Sequence, residues 1–335
     1  MVVTYGLYWS HHFSFSVLSG VPMTKPNSAD VWPALPFESW QDTCATLHMW
    51  TQIVGKIRLM RAPMVNHWWQ IALYVTPRGL TTSPIPDGGR TFEIVFDFIA
   101  HRLVIEASDG QTEHFPLAPM TVADFYAEVT GRLRALGIDL HIWTMPQEIP
   151  DAIPFDQDRT HRSYDAAKVH DFWKALVQAD RVFHKFRSDF LGKVSPVHFF
   201  WGSFDLCVTR FSGRTAPPHP GGVPNMADWV TREAYSHEVS SCGFWPGNGG
   251  FGQAAFYAYA YATPQGFGDA ALTVPGAYFD RNLGEFILPY DAVRSASDPD
   301  RLLLDFLQQT YVAAADLAAW DRAALERQGP VKPGT

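Results

Sequence analysis

The sequence predicts an α+β fold made of two similar halves that pack with pseudo-twofold symmetry, with a helical insertion in the second half. Three observations predict it. Helix-like and strand-like patterns alternate in blocks, the same order of blocks occurs twice, and matched residues recur at a nearly constant spacing. A chain of 335 residues also has room for two modules of roughly 100–200 residues each.

The first half spans residues 31–146 and begins with a helix. Apolar positions recur at near-helical spacing at Trp40, Cys44, Leu47, Val54 and Ile57. The runs "HWWQIALYV", "TFEIVFDFI" and "RLVIEAS" are typical of strands, as is the shorter "IDLHIW". Between them, "TVADFYAEVTGRLRALG" predicts a helix with Thr121 as its N-cap. The proline- and acid-rich residues 147–163 predict a linker to the second half.

The second half, residues 164–325, repeats the order of helix, strands and helix. Its run "HFFWGSFDLCVTRFSGRTAP" matches "HWWQIALYVTPRGLTTSP" of the first half, so that His198 corresponds to His67. Trp173 corresponds to Trp40 at a similar offset, which indicates an internal duplication. Residues 218–254 have no counterpart in the first half and are therefore predicted to be an insertion. Extra connecting segments are common places for function.

The insertion is predicted to be a helix from Asn225 to about Ser241, with Asn225 as its N-cap. Glycine-rich stretches, "PGG" and "GNGG", bracket this helix. A helix between two such hinges is typical of a movable lid over a site. A surface decoration with flexible joints is the alternative.

Histidines, carboxylates and rings in and around the insertion are the candidate site residues. The candidate catalytic residues, chosen for acid–base chemistry, are His237, Glu233 and His198. The candidate ligands of a divalent metal are His198, His219, Glu233 and His237. The candidate ligand-binding residues are His67, Trp68, Trp69, Phe200, Trp201, Trp229 and Trp245.

Plainer interpretations stand beside these. Trp229, Glu233 and His237 would share one helix face, where Glu233 and His237 could simply bond to each other. His67 and His198 could be hydrogen-bonded core residues. His48 and Gln52 form a polar stripe that is typical of a solvated helix face.

Charge and cysteine content exclude several classes of protein. The net charge is −8 and no cluster of Lys and Arg is visible, so neither nucleic acid nor a membrane surface is an expected partner. Three cysteines without a CxxC motif favour buried thiols in a reducing compartment, so we expect a cytoplasmic protein. Residues 1–30 are predicted to be a flexible leader or a start assigned too early, and residues 326–335 a flexible tail.

Three stretches carry a resemblance to a known family: "WPALPFESWQDTCATLHMWTQIVGKIRL", "SPVHFFWGSFDLCVTRFSGRTAPPHPGGVP" and "AYSHEVSSCGFWPG". On these motifs the chain resembles an uncharacterised bacterial family, a domain of unknown function, from about Trp32 to Leu325. The resemblance implies one coherent unit. It implies no activity and no catalytic residue.

Two hypotheses of function follow. In the first, an enzyme or sensor binds a small apolar or aromatic molecule in a ring-lined cleft beneath the insertion helix, where a His/Glu cluster supplies acid–base or metal chemistry. In the second, a non-catalytic interaction or structural protein uses the insertion helix to dock a partner, with rings in the core and at an interface. Whether the chain forms a homo-oligomer is left open.

Overall fold

A computed structural model describes residues 31–329; the predicted leader, residues 1–30, and the last part of the predicted tail, residues 330–335, lie outside them. The helices are α1 (Gln41–Arg61), α2 (Val122–Ala135), α3 (Ala166–Ser188), α4 (Asp228–Ala234), α5 (Tyr290–Arg294), α6 (Pro299–Leu317) and α7 (Arg322–Leu325). Short 3-10 helices lie at Phe37–Ser39, Asn66–Ile71 and Phe267–Asp269. Among the described helices, none has an apolar stretch long enough to cross a bilayer.

The strands form two antiparallel sheets, so the predicted α+β class is confirmed. The first sheet contains β1 (Tyr74–Thr76), β2 (Gly79–Thr81), β3 (Ile85–Asp87), β4 (Arg90–Asp97), β5 (Arg102–Ala107) and β6 (Thr112–Pro116), in the order β1-β2-β4-β5-β6 with β3 beside β4. The second contains β7 (His198–Phe200), β8 (Asp205–Thr215), β9 (His237–Trp245), β10 (Ala255–Tyr261), β11 (Tyr278–Asp280) and β12 (Glu285–Pro289), in the order β11-β12-β10-β9-β8-β7.

The two sheets meet edge to edge. Leu73 and Phe199 exchange backbone hydrogen bonds of 2.9 and 2.8 Å next to β1 and β7. In each half a long helix precedes the strands and another helix follows them. The internal duplication and the pseudo-twofold relation between the halves stay predictions.

Helix α1 lies at the centre of the fold. Its side chains are buried on nearly every side, including Trp50, Ile53 and Ile57. A helix that is buried on nearly every side lies inside the protein rather than on its surface, and this one buries polar as well as apolar side chains. Helix α2 packs against α1 and β6, and its N-cap is Thr121 as predicted: the hydroxyl accepts a hydrogen bond of 3.1 Å from the Asp124 N–H. Helices α3 and α6 cover one face of the second sheet.

The predicted insertion helix is wrong over most of its length. Helix α4 ends at Ala234, and His237–Trp245 forms β9, which pairs with β8 and β10 inside the second sheet. Strand pairing on both sides satisfies the backbone of this segment, and Cys242 and Phe244 turn into the core, so tertiary context overrides the local helical pattern. Glu233 and His237 therefore do not share a helix face.

Two smaller differences concern predicted strands. "IDLHIW" forms no strand, and "HWWQI" is the 3-10 helix at Asn66–Ile71, in which His67 and Trp68 take left-handed φ angles of 59° and 61°. At the predicted tail, Glu326 bridges to Phe190 and is paired with Arg322. All three cysteines are unpaired and buried.

Candidate functional site

A cleft of about 1670 Å³ lies between α1, residues 143–153 and the uncovered face of the second sheet. All seven residues predicted to contact a ligand lie on its wall: His67, Trp68, Trp69, Phe200, Trp201, Trp229 and Trp245. Their ligand-binding role stays a prediction, because the structure shows where they lie and not what they bind. The cleft is large enough for a drug-sized molecule.

Strand alternation gives the cleft a polar floor. Successive side chains of a strand point to opposite faces, so one face of the second sheet packs on α3 and α6 and the other faces the cleft. The cleft-facing polar side chains are Asp205, Cys207 and Thr209 of β8, Ser241 of β9, Tyr257 and Tyr259 of β10, and Glu285 of β12.

Asp205 is the most deeply buried carboxyl group of this floor, at 6% exposure. The hydroxyls of Ser203 and Tyr257 donate hydrogen bonds to its two oxygens. Tyr257 reaches Asp205 by lying across Gly243 of β9, where a Cβ atom would collide with the phenol. Burial raises the pKa of Asp205 despite these two donors. Asp205 and Tyr257 thus form a buried acid–phenol pair that can hold or move a proton.

Glu148 faces the same floor from the segment between the two halves. Its carboxylate rests against the Cα of Gly202, and its backbone φ is 63°. Burial, with the nearby Asp205 charge as the second cause, raises the pKa of Glu148 to about 7. Burial and the charges of Asp205 and Asp280 raise the pKa of Glu285 to about 7 as well. Near neutral pH these carboxyl groups can both accept and donate protons.

A polar stripe on α1 holds Glu148 in place. Gln52 donates to the Gln147 carbonyl at 2.9 Å and accepts from the Gln147 N–H at 2.8 Å. One turn earlier, His48 Nε2 donates to the Gly202 carbonyl at 2.8 Å, and burial lowers the pKa of His48 to about 4, so the ring is neutral. One turn later, Lys56 donates to the backbone carbonyls of residues 143 and 145.

The interpretation of His48 and Gln52 as a solvated face is wrong, since both side chains are buried. Buried polar groups are tolerated when they are hydrogen-bonded. The Gly202 carbonyl is the partner of His48, and the Gln147 backbone is the partner of Gln52. The stripe therefore attaches an irregular segment to the central helix.

Indole rings form the walls. Trp201 packs directly on Gly55 of α1, and its Nε1–H donates to the Ile71 carbonyl at 2.9 Å. Trp245 stacks on Phe251 with ring centroids 4.8 Å apart. At the mouth, Trp68 lies 5.0 Å from Trp229, whose side chain is 60% exposed at the start of α4.

The two glycines before α4, Gly221 and Gly222, are fixed by contacts with Asp228. The Gly222 N–H donates to Asp228 Oδ1 at 3.0 Å, and that carboxylate packs against the Cα of Gly221. Movement of α4 as a lid stays a prediction.

A second polar cluster lies beside the walls around His67. Its Nε2 lies 2.6 Å from Lys193 Nζ, and its Nδ1–H donates to the Ala234 carbonyl at 2.9 Å. The ring of His237 lies 5.5 Å from that of His67. Burial lowers the pKa of His67, with the Lys193 and His237 charges as further causes, while Glu233 opposes them. The structure thus brings His67, Glu233 and His237 into one neighbourhood.

His198 and His219 lie elsewhere. His198 is fully buried among the rings of Trp69, Tyr74 and Phe200, and no described residue bonds to either of its ring nitrogens. Burial lowers the pKa of His198 to about 3. His219 stacks on Tyr235 with ring centroids 4.9 Å apart. Within residues 31–329, no three His, Cys, Asp or Glu side chains are placed to hold one metal ion. The proposed metal quartet is therefore not assembled, because its members belong to different packing environments.

None of the acids of the cleft floor is among the site residues predicted from the sequence. Asp205, Glu285 and Tyr257 each stand at an alternating position of a strand, and Glu148 stands in a segment taken for a linker. The signal that could have found three of them is a polar or charged residue on one face of an otherwise apolar strand, such as the Asp205 of "SFDLCVT".

No curated protein and no solved structure matches the chain. A family model matches residues 32–327, which is nearly the whole of the described part, and this agrees with the resemblance carried by the sequence motifs. The chain belongs to the Family of unknown function (DUF5996).

Proposed function

We propose that the cleft binds a small apolar or aromatic molecule and that the acidic floor performs acid–base chemistry on it. The main support for this proposal is that one large cleft combines indole walls with a buried group of carboxyl and phenol side chains. Apolar walls with a few convergent polar groups of perturbed pKa are the usual form of a small-molecule site.

In this proposal the acid–base groups are the carboxyl groups of the cleft and not the histidines expected from the sequence. His198 is sealed in the core, and neither Glu233 nor His237 belongs to the lining of the cleft. Asp205 with Tyr257 would form one proton-transfer unit, and Glu148 would form another on the facing wall. Groups whose pKa lies near 7 are suited to general acid–base catalysis at neutral pH.

The second hypothesis, a partner-docking protein, receives support from one observation. Trp229 is exposed on α4, as a docking residue would be. Phe244, another ring of the predicted insertion, is fully buried, and Trp245 faces the cleft, so neither is exposed to a partner as Trp229 is. The small-molecule proposal therefore accounts for more of the rings.

Quenching of tryptophan fluorescence by 2-phenylethanol, a neutral aromatic probe, tests the proposal. We expect saturable quenching that weakens at least about fivefold in Trp245→Ala, since a wall ring supplies on the order of 1 kcal/mol or more of contact. The matched control is Trp173→Ala, which removes a half-buried indole outside the cleft lining. Equal affinity in wild type and Trp245→Ala would contradict the proposed site.

A further inference from the structure

The ionisable side chains that line the cleft are mainly acidic. Among the described residues that line it, none is Lys or Arg, whereas six carry carboxyl groups: Asp42, Glu148, Asp151, Asp158, Asp205 and Glu285. Asp42 and Asp151 are exposed at the mouth, and Asp158 is bonded to His161 at 2.6 Å. Three acids remain inside.

These three inner acids, Glu148, Asp205 and Glu285, form no ion pair with any described Lys, Arg or His residue. A buried carboxyl group is normally matched by a cation or kept protonated. Among the described residues, the side chains that donate hydrogen bonds to Asp205 are neutral hydroxyls, and the Glu148 carboxylate accepts no side-chain hydrogen bond.

The neighbouring cations have other partners. Lys193 is bonded to His67 and lies over the ring of Phe211, with Nζ 4.8 Å from its centroid. Lys56 is bonded to backbone carbonyls and lies 4.7 Å from the ring centroid of Trp143. Neither ammonium group reaches the inner acids. Both show that ring faces at the edge of this cleft accept a cation.

We infer that the cleft takes an organic cation, an amine or quaternary ammonium compound with an apolar or aromatic body. This inference rests on the proposed small-molecule function and names its ligand class. The body would lie between the indole walls while the ammonium group lies among Glu148, Asp205 and Glu285, supplying the charge that the protein does not. A neutral polyol could meet the same rings, yet it would leave the inner acids without a counter-charge.

The test compares three probes of similar shape at pH 8 by fluorescence titration: phenethylammonium, 2-phenylethanol and 3-phenylpropionate. We expect phenethylammonium to bind at least tenfold more tightly than the alcohol, and the propionate to bind most weakly. Glu148→Gln and Glu285→Gln should each reduce the preference for the cation several-fold. Glu106→Gln, at an exposed carboxyl group of β5 outside the cleft lining, is the matched control and should leave it unchanged.

The pH dependence gives a second readout. Affinity for phenethylammonium should rise from pH 6 to pH 8, since Glu148 and Glu285 lose protons with a pKa of about 7, while that of the alcohol should stay constant. The titratable groups that share the inner cleft with these two carboxyls are Asp205, Cys207, Tyr235, Tyr257, Tyr259, His48 and His161. Asp280 of β11 lies opposite Glu285 in the strand pair β11–β12.

The outcomes separate the inference from the proposed function. If the alcohol binds as tightly as the ammonium probe, and Trp245→Ala still weakens both, the cation inference is overturned while small-molecule binding stands. If no probe binds at millimolar concentration, both are overturned. If both Gln variants keep the full preference for the cation, the inner acids are not its recognition group and the inference fails.

Discussion

Substituting Gly55 by alanine tests how the wall of the cleft is built. Gly55 lies within α1, and a Cβ atom at this position would lie within 3.0 Å of three atoms of the Trp201 indole. Real Cβ atoms do not approach that closely, so the ring must shift. Trp201 is buried and its Nε1–H is bonded to the Ile71 carbonyl, which leaves it little room to move.

Two opposing terms decide the sign of the effect. Alanine is favoured over glycine inside a helix by about 1 kcal/mol. Overpacking a buried ring costs about 1–3 kcal/mol, and loss of the bond between Trp201 and Ile71 costs about 1 kcal/mol more. We therefore expect Gly55→Ala to lower the free energy of unfolding by about 1–3 kcal/mol.

Gly131→Ala is the matched control, because Gly131 lies within α2, is exposed, and would place its Cβ atom in open space. It should stabilise the protein by about 0.5–1 kcal/mol. Urea unfolding followed by far-UV circular dichroism measures both variants. Opposite shifts of the urea midpoint are expected, and only Gly55→Ala should weaken probe binding. A Gly55→Ala protein as stable as Gly131→Ala would refute the packing of Trp201 on α1.

A double variant isolates the contact itself. Trp201→Phe carries a smaller ring and should leave space for the new methyl group. The loss of stability in Gly55→Ala/Trp201→Phe should then be smaller than the sum of the two single losses, because residues in contact are not additive. Additive losses would show that Gly55 and Trp201 act independently.

Three further predictions concern the site and its support. Glu148 and Glu285 have pKa values raised in the folded state, so stability should fall as pH rises from about 5 to 7, by up to about 3 kcal/mol per group, and urea midpoints of Glu148→Gln should show a smaller fall. Gln52→Ala leaves the Gln147 backbone groups without partners and should cost about 2–4 kcal/mol while weakening phenethylammonium binding in the same titration. Thr121→Ala removes the cap of α2 and should cost about 1 kcal/mol of thermal or urea stability without changing probe affinity.

Local signals in the sequence predicted the elements that depend on local chemistry. The cap at Thr121 and the strands in "TFEIVFDFI" and "RLVIEAS" depend on residues that are close together along the chain. Strand β9 was not predictable in this way, because "ADWVTREAYSHEVSS" has helix-like spacing whereas the strand formed by its second half pairs with β8 and β10. Pairing with distant strands decided the conformation, which local spacing cannot reveal.

The acidic floor could not be predicted from the sequence for a related reason. A lone acid in a strand, such as Asp205, says nothing about which other acids will face it. Only the register of the second sheet and the path of the segment before α3 bring Glu148, Asp205 and Glu285 to one cleft. The one-sided charge of the site is thus a property of the assembled fold.

The segment predicted to be a linker and the polar stripe on α1 are buried together because they bond to each other. Gln52 and Lys56 are buried polar groups of α1 that would be costly to bury alone, and the backbone groups of residues 143–147 also need hydrogen-bond partners. Hydrogen bonds between the two let both be buried, since each supplies the partners that the other lacks. The position of Glu148 in the cleft therefore depends on the buried helix α1. A substitution in the polar stripe of α1 should change the position of Glu148 and with it ligand binding.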